Sequence, residues 1–196
     1  MSLVIEKFSK RYGGVAAVQG FDLEAHAASV TAVIGPNGAG KTTLLNLISG
    51  VVVADSGRMT LFNQDVSGST AHQLAALGLT RTYQNPQLFT DMTVLDTVMV
   101  GAHLTASGGI LSALFNLPAT RREERRIESA ARVALERVGL GGDVFQRDAS
   151  ELPYGLQRRA DIARALATGA KVMLLDEPAA GLNATETREQ IGRAHV

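Results

Sequence analysis

Gly35-Pro36-Asn37-Gly38-Ala39-Gly40-Lys41-Thr42, written GPNGAGKT, decides how this chain is read. The spacing fits G-x-x-x-x-G-K-[ST], the pattern of a loop that wraps a phosphate. Glycines let the backbone close around an anion without Cβ clashes. The amides from Gly38 to Thr42, with Thr43 continuing the same turn, are expected to point inward at the start of a helix whose dipole favours negative charge. Lys41 offers a mobile cation to the outer phosphates, and the Thr42 hydroxyl is a candidate ligand for Mg2+. The flanks suit this reading. VTAVI (30–34) is a β-branched run that predicts a strand, and KTTLLNLISG (41–50) has helical spacing ending on glycine.

Bulk properties narrow the class. The 196 residues allow one compact domain with a smaller subdomain. With 45% hydrophobic and 19% charged residues the chain reads as globular, and its formal net charge of zero lacks the basic balance of a nucleic-acid binder. The absence of cysteine excludes disulfides and thiolate metal sites. Charges interrupt the apolar residues of MSLVIEKFSKRYGGV, so it does not read as a signal peptide. The longest apolar candidate, GGILSALFNLP, falls short of the roughly 20 residues of a membrane span.

Further along, SLVIEKFSKRY and GFDLEAH alternate as strands, GRMTLFNQDV predicts a strand pair, STAHQLAALG a short helix, and LTRTYQNP a strand running into a loop. From 91 to 168 the periodicity turns helical, and KVMLLD follows as a continuous apolar strand, expected to be buried on both faces. A helical insertion into an α/β core explains that order. The last strand delivers Asp176 and Glu177. Ligands in such sheets lie beyond the carboxyl ends of the strands, so Asp176 is expected to face a nucleotide-bound Mg2+ and Glu177 to polarise an attacking water.

The segments between these motifs carry a family resemblance. ELPYGLQRRADIARAL, just before VMLLDEP, resembles the signature segment of ABC-type ATPases; RTYQNPQLF resembles their glutamine loop, with Gln84 in the Gln position; RYGG resembles the segment whose aromatic ring, here Tyr12, stacks on adenine; and AAGLN resembles the D-loop. The order is the family's, over residues 3 to about 190. The detailed wording looks like the ATPase subunits of branched-chain amino-acid importers. The resemblance implies an α/β P-loop NTPase (RecA-like) core, with an N-terminal antiparallel β subdomain and an inserted helical subdomain. It implies ATP and Mg2+ as ligands, with Gln84 touching the metal and the water. A second nucleotide-binding domain would close head to tail, and Tyr154, Gly155, Leu156 and Gln157 would face its γ-phosphate. Transmembrane permease subunits would be the direct partners, a solute-binding protein an indirect one, and nucleic acid none. The chain would sit peripherally on the cytoplasmic face of the inner (plasma) membrane. The alternatives are a non-transport ABC ATPase, a P-loop kinase or GTPase, or a fragment with little activity; the N-K-x-D that reads guanine in GTPases is absent.

The sequence also departs from the family. The signature LSGGQ is here Leu152-Pro153-Tyr154-Gly155-Leu156, and Pro153 removes a hydroxyl and an N–H. The Pro-Gly turn before the phosphate-loop strand is replaced by Ala28-Ser29. The family's switch histidine has no counterpart: His26, His72 and His103 come too early, and His195 follows a polar helical stretch. The terminal IGRAHV resembles a reading frame of a sequencing adapter. Residues 1–190 therefore read as a nucleotide-binding domain with its core incomplete at the C-terminus, its helical subdomain at about 91–168, and 191–196 as a non-native tail. The corresponding expectation is poor solubility and little ATPase turnover.

Overall fold

The computed structural model describes residues 2–82, 91–103 and 118–177, with 118–121 described in backbone only. The chain divides into two compact units: residues up to Arg81 together with Lys171–Asp176, and Thr82–Ala170 continuing at Glu177.

The first unit contains a four-stranded antiparallel sheet in the order β2-β1-β3-β4, made of β1 (Leu3–Tyr12), β2 (Val15–Ala25), β3 (Ser56–Leu61) and β4 (Gln64–Asp65). β1 starts in strict alternation, burying Leu3 and Ile5, and then breaks it: Phe8, not Lys7, is the next inward residue. A bulge between Ile5 and Phe8 makes the switch. Lys7 takes φ 54, and its amide and ammonium both donate to the Asp22 carboxylate, at 2.8 and 2.7 Å. The extra residue re-aims Phe8 into the core.

Below the sheet lie α1 (Lys41–Ile48), α2 (Ala71–Ala76) and a parallel pair of strands, β5 (Leu79–Arg81) and β6 (Val172–Leu174). Leu44, Leu47 and Ile48 of α1 join Leu3, Ile5, Phe8, Met59, Leu74, Leu79 and Leu174 in one core. A reciprocal box starts α2: the Thr70 hydroxyl accepts from the Gln73 amide, and the Gln73 side chain accepts from the Thr70 amide.

Two strand expectations are corrected here. Val30–Ile34 forms no strand; Val30 and Val33 are exposed and Ile34 is 92% exposed. β-branched residues fit a pleated ladder, but a strand also needs a ladder partner, and none among the described residues pairs with 30–34. β6 is also less buried than its apolar run suggests: only Leu174 is buried, while Val172 and Met173 are half-buried. The strand is paired to β5 on one side and to nothing among the described residues on the other.

The second unit packs α3 (Val94–His103), α4 (Pro118–Arg137) and α5 (Tyr154–Ala167), with a 3-10 turn at Gly142–Gln146. Thr93 caps α3, its hydroxyl accepting from the Asp96 amide at 3.1 Å and donating to the Asp96 carboxylate at 2.6 Å. The apolar stripe of α4, Ile127, Ala131, Ala134 and Leu135, is buried, and the charged face opposite is solvated, with Glu128 paired to Arg132. α3 and α5 cross closely enough that a Cβ on Gly101 would overlap the Arg164 carbonyl oxygen.

Candidate nucleotide site

The phosphate loop turns on two left-handed glycines, Gly38 at φ 83 and Gly40 at φ 86. Gly40 caps α1 and accepts from the Leu44 amide at 2.8 Å; the turn before it closes with the Ala39 amide on the Pro36 carbonyl at 3.2 Å. The loop packs against β2 so tightly that a Cβ on Gly40 would overlap the Ala17 carbonyl oxygen. No acidic residue occupies the first turn of α1, which leaves the positive end of its dipole uncompensated. Lys41 folds back over the loop, its ammonium donating to the Gly35 and Pro36 carbonyls at 2.8 and 2.9 Å. Gly35, Pro36, Asn37, Gly38, Ala39 and Gly40 thus form one turn that leads into α1 at Lys41, Thr42 and Thr43, with the Lys41 ammonium resting on the turn's own carbonyls.

Thr42, Asn46 and Ser49 are spaced four and three residues apart along α1, on one stripe. Asn46 and Ser49 accept from the Arg81 guanidinium, whose other nitrogen donates to Asp176 at 2.8 Å. Parallel pairing sets this up: Arg81 lies opposite Leu174, and Asp176 comes just beyond the end of the same strand. Asp176 therefore stands at the carboxyl end of β6, tied to the helix that carries Thr42 one turn nearer the loop.

A hydroxyl, a carboxylate and incoming phosphate oxygens are hard donors, the set Mg2+ prefers. No cluster of three or more His, Cys, Asp or Glu that could hold a metal occurs among the described residues. Thr42 and Asp176 would fit an ion whose remaining ligands come from a nucleotide. Tyr12 closes the β1–β2 hairpin, paired with Val15 two residues from the strand position that abuts Gly40. Tyr12 is 49% exposed, and the Lys10 ammonium lies 5.8 Å from its ring centroid.

In the second unit, Pro153 precedes α5 and its carbonyl accepts from the Leu156 and Gln157 amides at 2.8 and 3.0 Å. Tyr154 is exposed at the start of the helix, with Gly155 and Leu156 half-buried beside it. Gln157 turns its amide nitrogen back to the Ser150 and Leu152 carbonyls, at 3.0 and 2.9 Å. Its side chain stiffens the approach to the helix. Buried Arg158 donates to the Glu177 carbonyl at 2.6 Å, and Glu177 itself is exposed at φ 44, a left-handed conformation that non-glycine residues rarely take. Asp161 is buried against Arg164 at 2.6 Å; burial raises its pKa, opposed by Arg164 and Arg158. Gln84, the D-loop after Glu177, His195 and the tail at 191–196 lie outside the described residues.

The profile of the ABC transporter family matches residues 18–180, which run from β2 past both acidic residues. The chain belongs to the ABC transporter family of ATP-binding proteins. Among this family's members, the high-affinity branched-chain amino acid transport ATP-binding protein LivG of Escherichia coli (strain K12) is 40% identical over 187 residues, covering 95% of this chain and 73% of LivG. BraF of Pseudomonas aeruginosa, described in the same words, is 40% identical over 185 residues, covering 94% of this chain and 72% of BraF. The structure of MJ1267, an ATP-binding cassette of an ABC transporter in its ADP conformation, superposes with a TM-score of 0.82 at 32% identity, covering 99% of this chain and 75% of that one. The α/β P-loop NTPase architecture is therefore the family's, and the ABC ATPase binds and hydrolyses ATP. No helix among its described residues is long and apolar enough to cross a membrane.

Sequence reasoning gave no role to Arg81, Arg158 or Asp161. Arg81 opens the RTYQNPQLF stretch, but its partner Asp176 is visible only once β5 and β6 are paired.

Proposed function

We propose that this ABC ATPase is the ATP-binding subunit of an importer for branched-chain or other hydrophobic amino acids, hydrolysing Mg-ATP in a head-to-tail dimer. The observation that carries the proposal is the 40% identity to LivG over 95% of the chain. Each site residue then has a part. The glycine loop and the α1 amides hold the β- and γ-phosphates, and Lys41 exchanges its loop carbonyls for phosphate oxygens. Thr42, Asp176 and Gln84 hold Mg2+, which when bound neutralises charge building on those oxygens. Glu177 accepts a hydrogen bond from the attacking water and orients it toward the γ-phosphorus. Tyr12 stacks on the base. Tyr154, Gly155, Leu156 and Gln157 open a helix whose amide end faces the γ-phosphate held by the second nucleotide-binding domain.

In this reading residues 1–190 form the nucleotide-binding domain. Its helical block, about 91–168, docks transmembrane permease subunits on the cytoplasmic face of the inner membrane, where a solute-binding protein is an indirect partner. Uptake of labelled amino acids by vesicles carrying this chain with the permease subunits of a branched-chain amino-acid importer tests the proposal. ATP-dependent leucine uptake, lost with Lys41→Ala, is expected. Uptake of an unrelated polar solute with no leucine transport would overturn the solute assignment.

A further inference from the structure

Arg81 opens the stretch that resembles the glutamine loop, three residues before Gln84, and its side chain joins β6 to α1. Its side chain is only 7% exposed, against an Asp176 side chain at 13%. One nitrogen, Nη2, donates to Asp176 Oδ2 at 2.8 Å; the other, Nη1, donates to Asn46 Oδ1 at 2.6 Å and Ser49 Oγ at 3.2 Å. The Ser49 hydroxyl donates its own proton to the Leu45 carbonyl at 2.7 Å, so it meets Arg81 with a lone pair. Donor directions therefore agree throughout the network. A planar guanidinium holds such partners in one geometry, whereas an ammonium presents a single point of charge.

We propose that Arg81 is a positioning residue for Mg2+: by bridging Asp176 to Asn46 of α1 and to Ser49, which caps that helix, it fixes the metal-binding carboxylate in register with Thr42. The inference rests on the reading of Asp176 as a Mg2+ ligand. Committing Oδ2 to Arg81 fixes the rotation of the carboxylate, and anchoring Arg81 on α1 makes that rotation follow the helix that carries the phosphate loop. A guanidinium beside a carboxylate also has an opposing effect, because it competes with a cation for the same negative charge. Positioning strengthens the metal site and competition weakens it, so the sign of the change on mutation separates them.

The test measures the dissociation constant of a fluorescent ATP analogue on the full chain, in EDTA and in saturating Mg2+. The ratio of the two isolates the metal's contribution. Removing the cation altogether would strand a buried carboxylate and risk unfolding. The variants are therefore Arg81→Lys, which keeps the charge, and Asn46→Ala, which cuts only the anchor on α1. Arg81→Lys is expected to reduce the ratio by about tenfold, the effect of disturbing a residue that orients a metal ligand. The constant in EDTA and the thermal midpoint of the metal-free chain should stay near wild type. Asn46→Ala should reduce the ratio by less, in the same direction, and it decides the matter if Arg81→Lys does not fold. Asp176→Asn should abolish the metal's contribution. If it does so while both other variants keep or raise the wild-type ratio, the role of Arg81 is overturned and the metal reading survives. If Asp176→Asn leaves the ratio intact, the metal reading falls and the inference with it.

Discussion

Gly40 is where a single methyl group separates backbone strain from steric overlap. It sits at φ 86, and an added Cβ would approach the Ala17 carbonyl oxygen to well inside 3.0 Å, with the Ala17 carbonyl carbon at 3.3 Å behind it. Gly38, two residues earlier, has nearly the same φ of 83 and nothing within 4 Å of its Cβ position. Gly38→Ala therefore measures the conformational term alone, about 1–2 kcal/mol for an L-residue held left-handed. Gly40→Ala adds overlap with the backbone of β2, which cannot rotate away like a side chain. Overpacking of this kind adds about 1–3 kcal/mol. The expected destabilisation is roughly 2–5 kcal/mol for Gly40→Ala against about 1–2 for Gly38→Ala. Urea unfolding followed by circular dichroism, with fluorescent-nucleotide binding on the same samples, gives both quantities. Equal losses of stability at the two positions would refute the close approach of loop and strand.

Three further outcomes are expected. Lys41→Met removes an ammonium that makes charge-assisted bonds inside the loop; at about 1.5–3 kcal/mol per such bond it should weaken ATP binding by roughly ten- to a hundredfold, and unchanged affinity in a titration would exclude Lys41 from the phosphate site. Thr97→Val should leave the helical unit as stable or stabilise it by up to about 1 kcal/mol in thermal unfolding, because the Thr97 hydroxyl is buried with no hydrogen-bond partner among the described residues; a clear loss would reveal a partner for it. Ile34→Lys should lower self-association in light scattering across a concentration series, with no loss of stability, since it adds charge to an exposed apolar segment; scattering equal to wild type would show that this segment is not the sticky surface.

The sequence made the helices and the phosphate loop legible because their signals are local. A capping residue, an i, i+3, i+4 stripe and a glycine at each left-handed position lie within a few residues of what they specify. Thr70 and Gln73 of α2 show this, as do the buried stripe of α4 and the glycines at 38 and 40. Strands are less local. Val30–Ile34 has β-branched composition and still forms no strand, because ladder hydrogen bonds come from another segment and nothing among the described residues supplies them. β6 looked buried on both faces for the same reason: an apolar run reports what the residues tolerate, while burial depends on which strands arrive beside them.

The same distinction runs through the site. Lys41 and Thr42 on one side and Asp176 on the other were each proposed from a short motif, whose residues lie close together in sequence. Arg81 and Asp176 are separated by 95 positions, and only the pairing of β5 with β6 brings them within 2.8 Å. A motif records the groups that touch the ligand; the groups that hold those in place are chosen by the fold. Arg81 for Asp176 and Arg158 for the Glu177 backbone belong to that second kind. Their partners lie far away in sequence, so no short spacing marks them. Hydrogen bonds to buried charges, traced outward from the motif residues, are therefore the observations that extend the site beyond what its motifs disclose.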